Sequence, residues 1–164
     1  MESEAHERQF PLRRLKVAEK FDTTLAENRK ARHDYTVLET IECGIVLKGT
    51  EVKSVRRGGV SLAGSYAAVL KGELWLVGAD IAAYEFGNRF NHSPKRDRKL
   101  LVHAKDVLVL RQKTEAKGLT LVPLSLYLKR GRVKVLLGVC RGKLLHDKRR
   151  ALKDKDLRRD LERA

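Results

Sequence analysis

Alternating apolar and polar positions predict that most of this chain forms short β-strands. The alternation begins near His33, and a continuous apolar run follows at 45–47. Residues 65–81 predict a β-hairpin, because two alternating segments flank a Lys-Gly turn signal. The segments 119–128 and 133–140 have the leucine-rich and β-branched composition of buried strands.

Two short helices are predicted between these strands. Thr50 can cap a helix over about 50–57, and Gly58 can end it in a left-handed conformation. A second helix is predicted to open near His103 and to stop at Gly118. The whole pattern indicates five or six strands with two or three helices.

Hairpin turns and small apolar faces decide the predicted architecture. Hairpins favour an antiparallel sheet, and strands with small apolar faces favour a closed barrel over an open sheet. We therefore expect a mainly β fold with flanking helices, specifically an OB-like closed antiparallel β-barrel with a basic C-terminal tail. The expected division is a poorly ordered leader at 1–27, the barrel at 28–146 and the tail at 147–164.

Charge is distributed unevenly along the chain, which has 164 residues and a formal charge of +15. Residues 28–146 carry 23 Lys/Arg against ten Asp/Glu, the tail carries eight against five, and the leader five against six. Because a positive field attracts phosphate and releases counterions, we expect the barrel to bind nucleic acid with an affinity that falls with salt. The tail can be a contact arm or a solvated segment without a function, and its composition leaves both open.

Missing signals argue against several function classes. Cys43 and Cys140 lie in apolar, strand-like surroundings, which favours two free buried thiols in a reducing cytosol over a disulfide. The Cys and His spacings are not those of zinc sites, so we expect no metal and no other cofactor. An apolar run of ~18 residues and a signal-peptide core are both missing, so we expect a cytoplasmic protein without a membrane anchor.

Catalytic chemistry is not indicated by the sequence. His33, His92 and His146 are scattered, without the partner spacing of a nucleophile triad. A metal-dependent nuclease needs several carboxylates that converge on one site, and the sequence offers no such set. We therefore expect no catalytic residues and no enzyme activity.

Basic loops and dispersed aromatic residues favour a folded RNA as the ligand. A barrel with basic edges can contact folded RNA through phosphates and 2′-hydroxyls. The ladder of aromatic residues expected of a single-strand binder is missing. The aromatic positions considered are Tyr35, Tyr66, Trp75, Tyr84 and Tyr127, most of them core-like. A generic single-strand-binding or ribosomal module and a small RNA-processing enzyme stay open as alternatives.

Seven collinear segments resemble those of one known family. They are NRKARHDY at 28–35, GTEVKS at 49–54, RKLL at 98–101, GLTLVPL at 118–124, GRVKV at 131–135, RGK at 141–143 and HDKR at 146–149. In this order and spacing, the chain from about residue 25 to its end resembles small protein B, the family that binds tmRNA (SsrA) in bacterial trans-translation.

The resemblance implies a fold, a function and a set of partners. The implied fold is an OB-like barrel with flanking helices. The implied function is to bind the tRNA-like domain of tmRNA and to deliver the aminoacylated RNA to ribosomes stalled without a stop codon. Elongation factor Tu is a further implied partner, bound to the aminoacylated RNA. The C-terminal tail is implied to be disordered in solution and helical in the empty mRNA channel beside the decoding centre. The implied role involves no catalysis.

The resemblance also implies the site residues. Three family positions linked to RNA binding correspond to Glu42, Leu101 and His103, the last often Asn in relatives. From the residues alone, Glu42 can instead form a surface salt bridge, and His103 can cap a helix. The other expected RNA-binding residues are Lys30, Arg32, Lys53, Arg98, Lys99, Lys129, Arg130, Arg132, Arg141 and Lys143. The expected ribosome contacts in the tail are His146, Asp147, Lys148 and Arg149.

Overall fold

A computed structural model describes residues 23–163, without the side chains of 145–148 and 151. Nine strands lie in this part of the chain: β1 Thr23–Glu27, β2 Tyr35–Ile45, β3 Val60–Ser61, β4 Tyr66–Leu70, β5 Glu73–Val77, β6 Asp80–Ile81, β7 Arg98–Leu101, β8 Thr120–Lys129 and β9 Arg132–Gly142. The α-helices there are α1 Arg29–Asp34, α2 Gly49–Arg56, α3 Ala104–Lys117 and α4 Leu145–Arg163, and Asn88–Phe90 form a 3-10 turn.

Seven of these strands form one antiparallel sheet. Their order is β1-β8-β4-β5-β7-β2-β9, and β8 pairs with β9 as well. The longest pairings are those of β9 with β2 and with β8. The short strands β3 and β6 pair separately. The prediction of a mainly β fold with helices is therefore confirmed.

Period-two alternation directs the apolar side chains to the core. On β2, Ile41 and Cys43 are buried, whereas the intervening Glu42 faces outwards. Leu110 of α3 belongs to the same main cluster, so this helix packs on the apolar interior. Both cysteines are free and buried, and burial raises the pKa of Cys43 to about 12 and that of Cys140 to about 11. Neither thiol is therefore ionised at neutral pH.

The local signals placed most elements correctly. The predicted hairpin is β4–β5, and Lys71 and Gly72 at its turn both have positive φ. Helix α3 starts after His103 and ends at Gly118, whose φ of 62° is the left-handed conformation that glycine adopts without strain. Helix α2 also forms, although Lys48 rather than Thr50 occupies its N-cap.

Two features differ from the sequence-based expectations. Thr23–Glu27 form a strand on β8, so the leader boundary at residue 27 is wrong, while residues 1–22 lie outside the described part. The other feature is helix α1, which the alternation pattern does not predict. Its cap is local, because the Asn28 side chain accepts from the Ala31 amide at 3.1 Å, and the same side chain is fixed by donating to the backbone of β8 at 3.0 Å. The tail forms the helix α4, and its expected disorder in the free chain stays a prediction.

A buried ion cluster fixes α2 against β7 and the loop that precedes it. Glu51 of α2 and Arg98 of β7 are both 0% exposed, and Arg98 Nε donates to Glu51 Oε1 at 3.1 Å. Arg96 donates to both carboxylate oxygens, at 2.5 and 2.7 Å. The remaining donors of Arg98 bond backbone carbonyls of Ala79, Pro94 and Arg96. Every buried charge in the cluster thus has partners, as a buried ion pair requires.

The Glu51 carboxylate stays ionised inside this cluster. Burial alone would raise its pKa, but the hydrogen bonds from Arg96 and the Lys48 amide, with the charges of Arg98 and Arg96, outweigh burial and lower it. Burial lowers the pKa of Arg98, and Glu51 partly offsets that effect. Since the Glu51 pKa is lower in the folded state, its contribution to stability is present above about pH 4.5 and is lost as pH falls through the folded-state value.

We predict that Glu51→Gln lowers the free energy of unfolding by about 3–5 kcal/mol at pH 7, because it leaves the Arg98 charge buried without its carboxylate. The loss should shrink as pH falls below about 4.5. Urea denaturation across pH measures both. The matched control is Glu73→Gln, which breaks a half-exposed pair with Lys99 and should cost below about 1 kcal/mol. Equal losses for the two variants would contradict a structural role for the cluster.

Candidate RNA interface

Three neighbouring strands present a polar cluster on the outer face of the sheet. In the strand register, Gly44 of β2 and Tyr127 of β8 both lie opposite Lys134 of β9. Tyr127 Oη donates to Glu42 Oε2 at 2.5 Å, and Lys129 Nζ lies 3.2 Å from the same oxygen. Two partners thus hold the half-buried Glu42 carboxylate. The salt bridge that the sequence offers as an alternative role for Glu42 does form, with Lys129. The orientation of the carboxylate is fixed before any ligand arrives.

An open cavity of about 390 Å³ adjoins this carboxylate, and a second cavity of about 290 Å³ lies beside the first. Both are lined by Gly44, Leu101 and Lys134, so together they form one continuous cleft. The larger cavity is completed by Ile41, Glu42, Val102, His103 and Asp106, and the smaller by Ile45, Leu47, Val52, Gly131, Arg132 and Val133.

The cleft brings together the three positions singled out by the resemblance. Glu42 supplies an acceptor, Leu101 at the end of β7 is 50% exposed, and His103 is exposed at the N-cap of α3. The His103 side chain makes no hydrogen bond that caps the helix, so helix capping does not fix the position of the imidazole ring. Gly44 keeps the cleft open beside Leu101, since a Cβ at this position would lie 3.2 Å from the Leu101 Cβ.

The predicted basic residues separate into two groups. Lys129, Arg130 and Arg132 surround the tip of the β8–β9 hairpin, next to the cleft. At the opposite end of β9, Arg141 lies opposite Thr36. The members of this second group are Lys30, Arg32, Arg141 and Lys143. Along β2, positions 36 and 44 are separated by roughly 26 Å at the usual strand rise, so the two groups can contact different parts of a folded RNA.

Three of the predicted residues are placed differently from expectation. Arg98 is fully buried in the ion cluster with Glu51, so its assignment to RNA binding is wrong. Lys99 is half-buried and lies on the same outer face of β7 as Leu101, but its ammonium group donates to Glu73 of β5 at 2.7 Å. Lys53 is exposed, but it lies over the ring of Tyr84 at 5.3 Å rather than in the cleft.

Sequence reasoning missed Lys134, which lines both cavities. A signal for it was available, because Arg132 and Lys134 share the outward parity of β9 while Val135 and Leu137 are buried. Tyr127 was taken as a core residue, and its ring is indeed buried, but its hydroxyl reaches Glu42 across β9.

Of the four predicted ribosome contacts in the tail, Arg149 is the one whose side chain the structure describes. Arg149 is exposed on α4. The side chains of His146, Asp147 and Lys148 lie outside the described residues, so their predicted contacts are not examined by the structure.

Two further features concern metals and membranes. Within residues 23–163, no group of three or more His, Cys, Asp or Glu side chains is arranged to hold a metal ion. A search of the helices in the described part found none that is both long and apolar enough to span a membrane.

Known proteins are similar to this chain in sequence. The family described as "SmpB protein" matches residues 25–164. An SsrA-binding protein of Staphylococcus haemolyticus is 60% identical over 141 residues, 86% of this chain and 90% of the relative. One of Staphylococcus saprophyticus is 59% identical over 140 residues, 85% of this chain and 91% of the relative.

A solved structure is also similar. Its description is "tmRNA-SmpB: a journey to the center of the bacterial ribosome". The similar chain in it is 54% identical with a TM-score of 0.63, and the match covers 75% of this chain and 87% of that one.

We predict that Glu42→Gln weakens binding of a folded RNA about tenfold, because a charged acceptor in the cleft is lost. The matched control is Glu73→Gln, which changes the net charge identically but lies on β5, outside the cleft. By charge alone both variants should bind RNA slightly more tightly. Fluorescence anisotropy at one salt concentration separates these effects. Equal or tighter binding by both variants would leave Glu42 with a structural role only.

Proposed function

The chain belongs to the SmpB family, and on that premise we propose that it binds the tRNA-like domain of tmRNA and delivers it to stalled ribosomes for trans-translation. The observation that carries the proposal is the convergence of Glu42, Leu101 and His103 on one cleft with basic walls. The family is one of RNA-binding proteins and not of enzymes, so the protein acts by binding.

Each side chain of the cleft has a distinct role in this proposal. The Glu42 carboxylate accepts a hydrogen bond from the amino group of a base edge, which a phosphate cannot offer. The exposed Leu101 packs against the flat face of a base or a ribose. His103 supplies a hydrogen bond to the RNA from the start of α3. Lys134 and Arg132 neutralise phosphates around them.

The basic residues outside the cleft extend the proposed RNA contact. Lys129 and Arg130 lie at the hairpin tip, and Lys129 also holds Glu42 in place. At the other end of the barrel, the remaining members Lys30, Arg32, Arg141 and Lys143 contact a second stretch of backbone. This spread suits a folded RNA with an elbow better than a short extended strand.

We propose the OB-like closed barrel as the finer description of the fold. The supporting feature is that β2, β4, β5, β7, β8 and β9 each pair with two other members of this set. A sheet paired in this way leaves none of the six with an unpaired edge over its whole length. The barrel then acts as the RNA-binding domain, extended by β1.

We propose that the tail is disordered in the free chain and becomes helical in the empty mRNA channel near the decoding centre. Leu152, Leu157 and Leu161 are 46%, 61% and 75% exposed on α4, so the helix gains little from burial. Most helical stability in proteins comes from the packing of an apolar face, and these exposed leucines make little such packing. Contact with the ribosomal RNA supplies the missing free energy, and Arg149 with His146, Asp147 and Lys148 leads that contact.

The setting of this proposal is the bacterial cytoplasm, where tmRNA and ribosomes are found. Elongation factor Tu bound to aminoacylated tmRNA is a further proposed partner. The competing proposal is a generic basic RNA-binding or ribosome-associated protein, which the charge alone would also support. The two proposals differ in the selectivity that they predict for the protein, because only the first requires the bound RNA to have a tRNA-like fold.

We predict that the protein binds the isolated tRNA-like domain more tightly than a poly-pyrimidine strand or a DNA duplex at the same salt. Each neutralised phosphate should contribute roughly −0.7 to −0.9 to the slope of log affinity against log salt. Gel shifts over a salt series measure both quantities. Equal affinity for all three ligands would favour the generic RNA-binding alternative.

We predict that Leu152→Pro abolishes tagging of stalled nascent chains while leaving tmRNA affinity unchanged. Proline inside a helix costs about 3 kcal/mol and leaves the charge of the tail unaltered. A translation reaction stalled on an mRNA without a stop codon measures tagging. The control is Leu152→Ala, which preserves helix formation. Full tagging by the proline variant would mean that the tail acts as a charged tether and not as a helix.

A further inference from the structure

Two phenylalanines are exposed on a loop outside the cleft. Phe86 is 64% exposed and Phe90 is 76% exposed, although large aromatic side chains are usually buried. They lie in the segment 82–91, between β6 and β7. Their exposure is not explained by the core or by the cleft around Glu42.

Cations accompany each of these rings. The Arg57 guanidinium lies 5.1 Å from the ring centre of Tyr84 and 5.5 Å from that of Phe86, and Lys53 lies 5.3 Å from Tyr84. Arg89 lies 5.0 Å from the ring centre of Phe90. We call these six residues the aromatic–basic patch: Lys53, Arg57, Tyr84, Phe86, Arg89 and Phe90.

The loop that carries the patch has a defined shape. The Tyr84 amide donates to Asn91 Oδ1 at 2.9 Å, and Asn91 Nδ2 donates back to the Tyr84 carbonyl at 2.7 Å. Gly87 permits this closure, since a Cβ there would lie 2.7 Å from Asn91 Nδ2. The rings of Tyr84 and Phe86 meet edge to face, with 5.6 Å between their centres. The rings are therefore held in place before any ligand binds, which lowers the entropic cost of binding.

We propose that the aromatic–basic patch is a second RNA contact, which takes an unpaired nucleotide. A base stacks on the exposed ring of Phe86 or Phe90, and Arg57, Arg89 and Lys53 contact the flanking phosphates. This proposal rests on the proposed function, because the nucleotide belongs to the RNA that the protein already binds.

Charge favours RNA over a protein as the occupant of the patch. Rings that serve as an apolar protein interface are usually surrounded by uncharged residues at the centre. Here three cations lie on the rings themselves, and the acidic residue of the segment, Glu85, lies 3.9 Å from Arg57 at the rim. Flat π faces interleaved with guanidinium groups match the alternation of bases and phosphates in a single strand.

Helix α2 connects the patch to the cleft. Val52 lines the smaller cavity and Arg56 Nη2 donates to the Gly131 carbonyl at 3.3 Å, so this stripe of the helix faces the hairpin tip. Lys53 and Arg57, one position further along, form the neighbouring i,i+4 stripe and face the patch. One RNA can therefore contact both surfaces across a single short helix.

The test compares a short adenosine oligonucleotide with an abasic strand of the same length and phosphate number. The wild-type protein should bind the adenosine strand about tenfold more tightly, because only that strand can stack. The variant Phe86→Leu/Phe90→Leu should lose this preference and retain its affinity for the abasic strand. The control Leu108→Ala, at another exposed apolar residue, should leave the preference intact.

The outcomes separate this proposal from the proposed function. Wild-type protein that binds the tRNA-like domain selectively but shows no preference for the adenosine strand would overturn the patch alone. A preference that survives in the double variant would also overturn it. If the double variant does not fold, nuclear Overhauser contacts between base protons and the rings of Phe86 and Phe90 in the wild-type complex decide, and their absence counts against the proposal.

Discussion

The buried carboxylate of Glu51 is the constraint on which the shape of the cleft depends. It holds Arg98 of β7 and Arg96 of the preceding loop to the first turn of α2. Since two buried charges are stable only when fully paired, this arrangement allows one position of α2 relative to β7. Leu101 at the end of that strand and Val52 on that helix consequently meet on opposite sides of one cleft.

The net positive charge of this surface and the single carboxylate of Glu42 have different effects on RNA binding. The excess of bases attracts any polyanion, and its long-range field carries no sequence or shape information. Glu42 opposes that field, so its presence weakens general attraction to phosphate. Lys129 and Tyr127 contact the carboxylate and orient it. A single acceptor inside a basic cleft thereby converts general affinity into selectivity for a ligand with a suitable donor.

Local signals made much of the fold predictable, and long-range register made the rest unpredictable. The β4–β5 hairpin and the end of α3 at Gly118 follow from turn and cap chemistry within a few residues. The burial of Arg98 depends on Glu51, 47 positions away, so nothing next to Arg98 distinguishes it from an exposed base. The family resemblance singled out Glu42, which lies in the cleft. The parity of β9 shows that Lys134 faces outwards, but its place beside Gly44 in the cleft follows only from the pairing of β2 with β9.

Mapping the contact on the protein tests the central claim most directly. Backbone amide chemical shifts of the isotope-labelled full-length chain can be followed while the unlabelled tRNA-like domain of tmRNA is added. The account predicts that the largest changes fall on Glu42, Gly44, Leu101, His103 and Lys134, around the two cavities. Changes confined to the opposite end of the sheet, around Arg32 and Arg141, with the cleft unaffected, would contradict it.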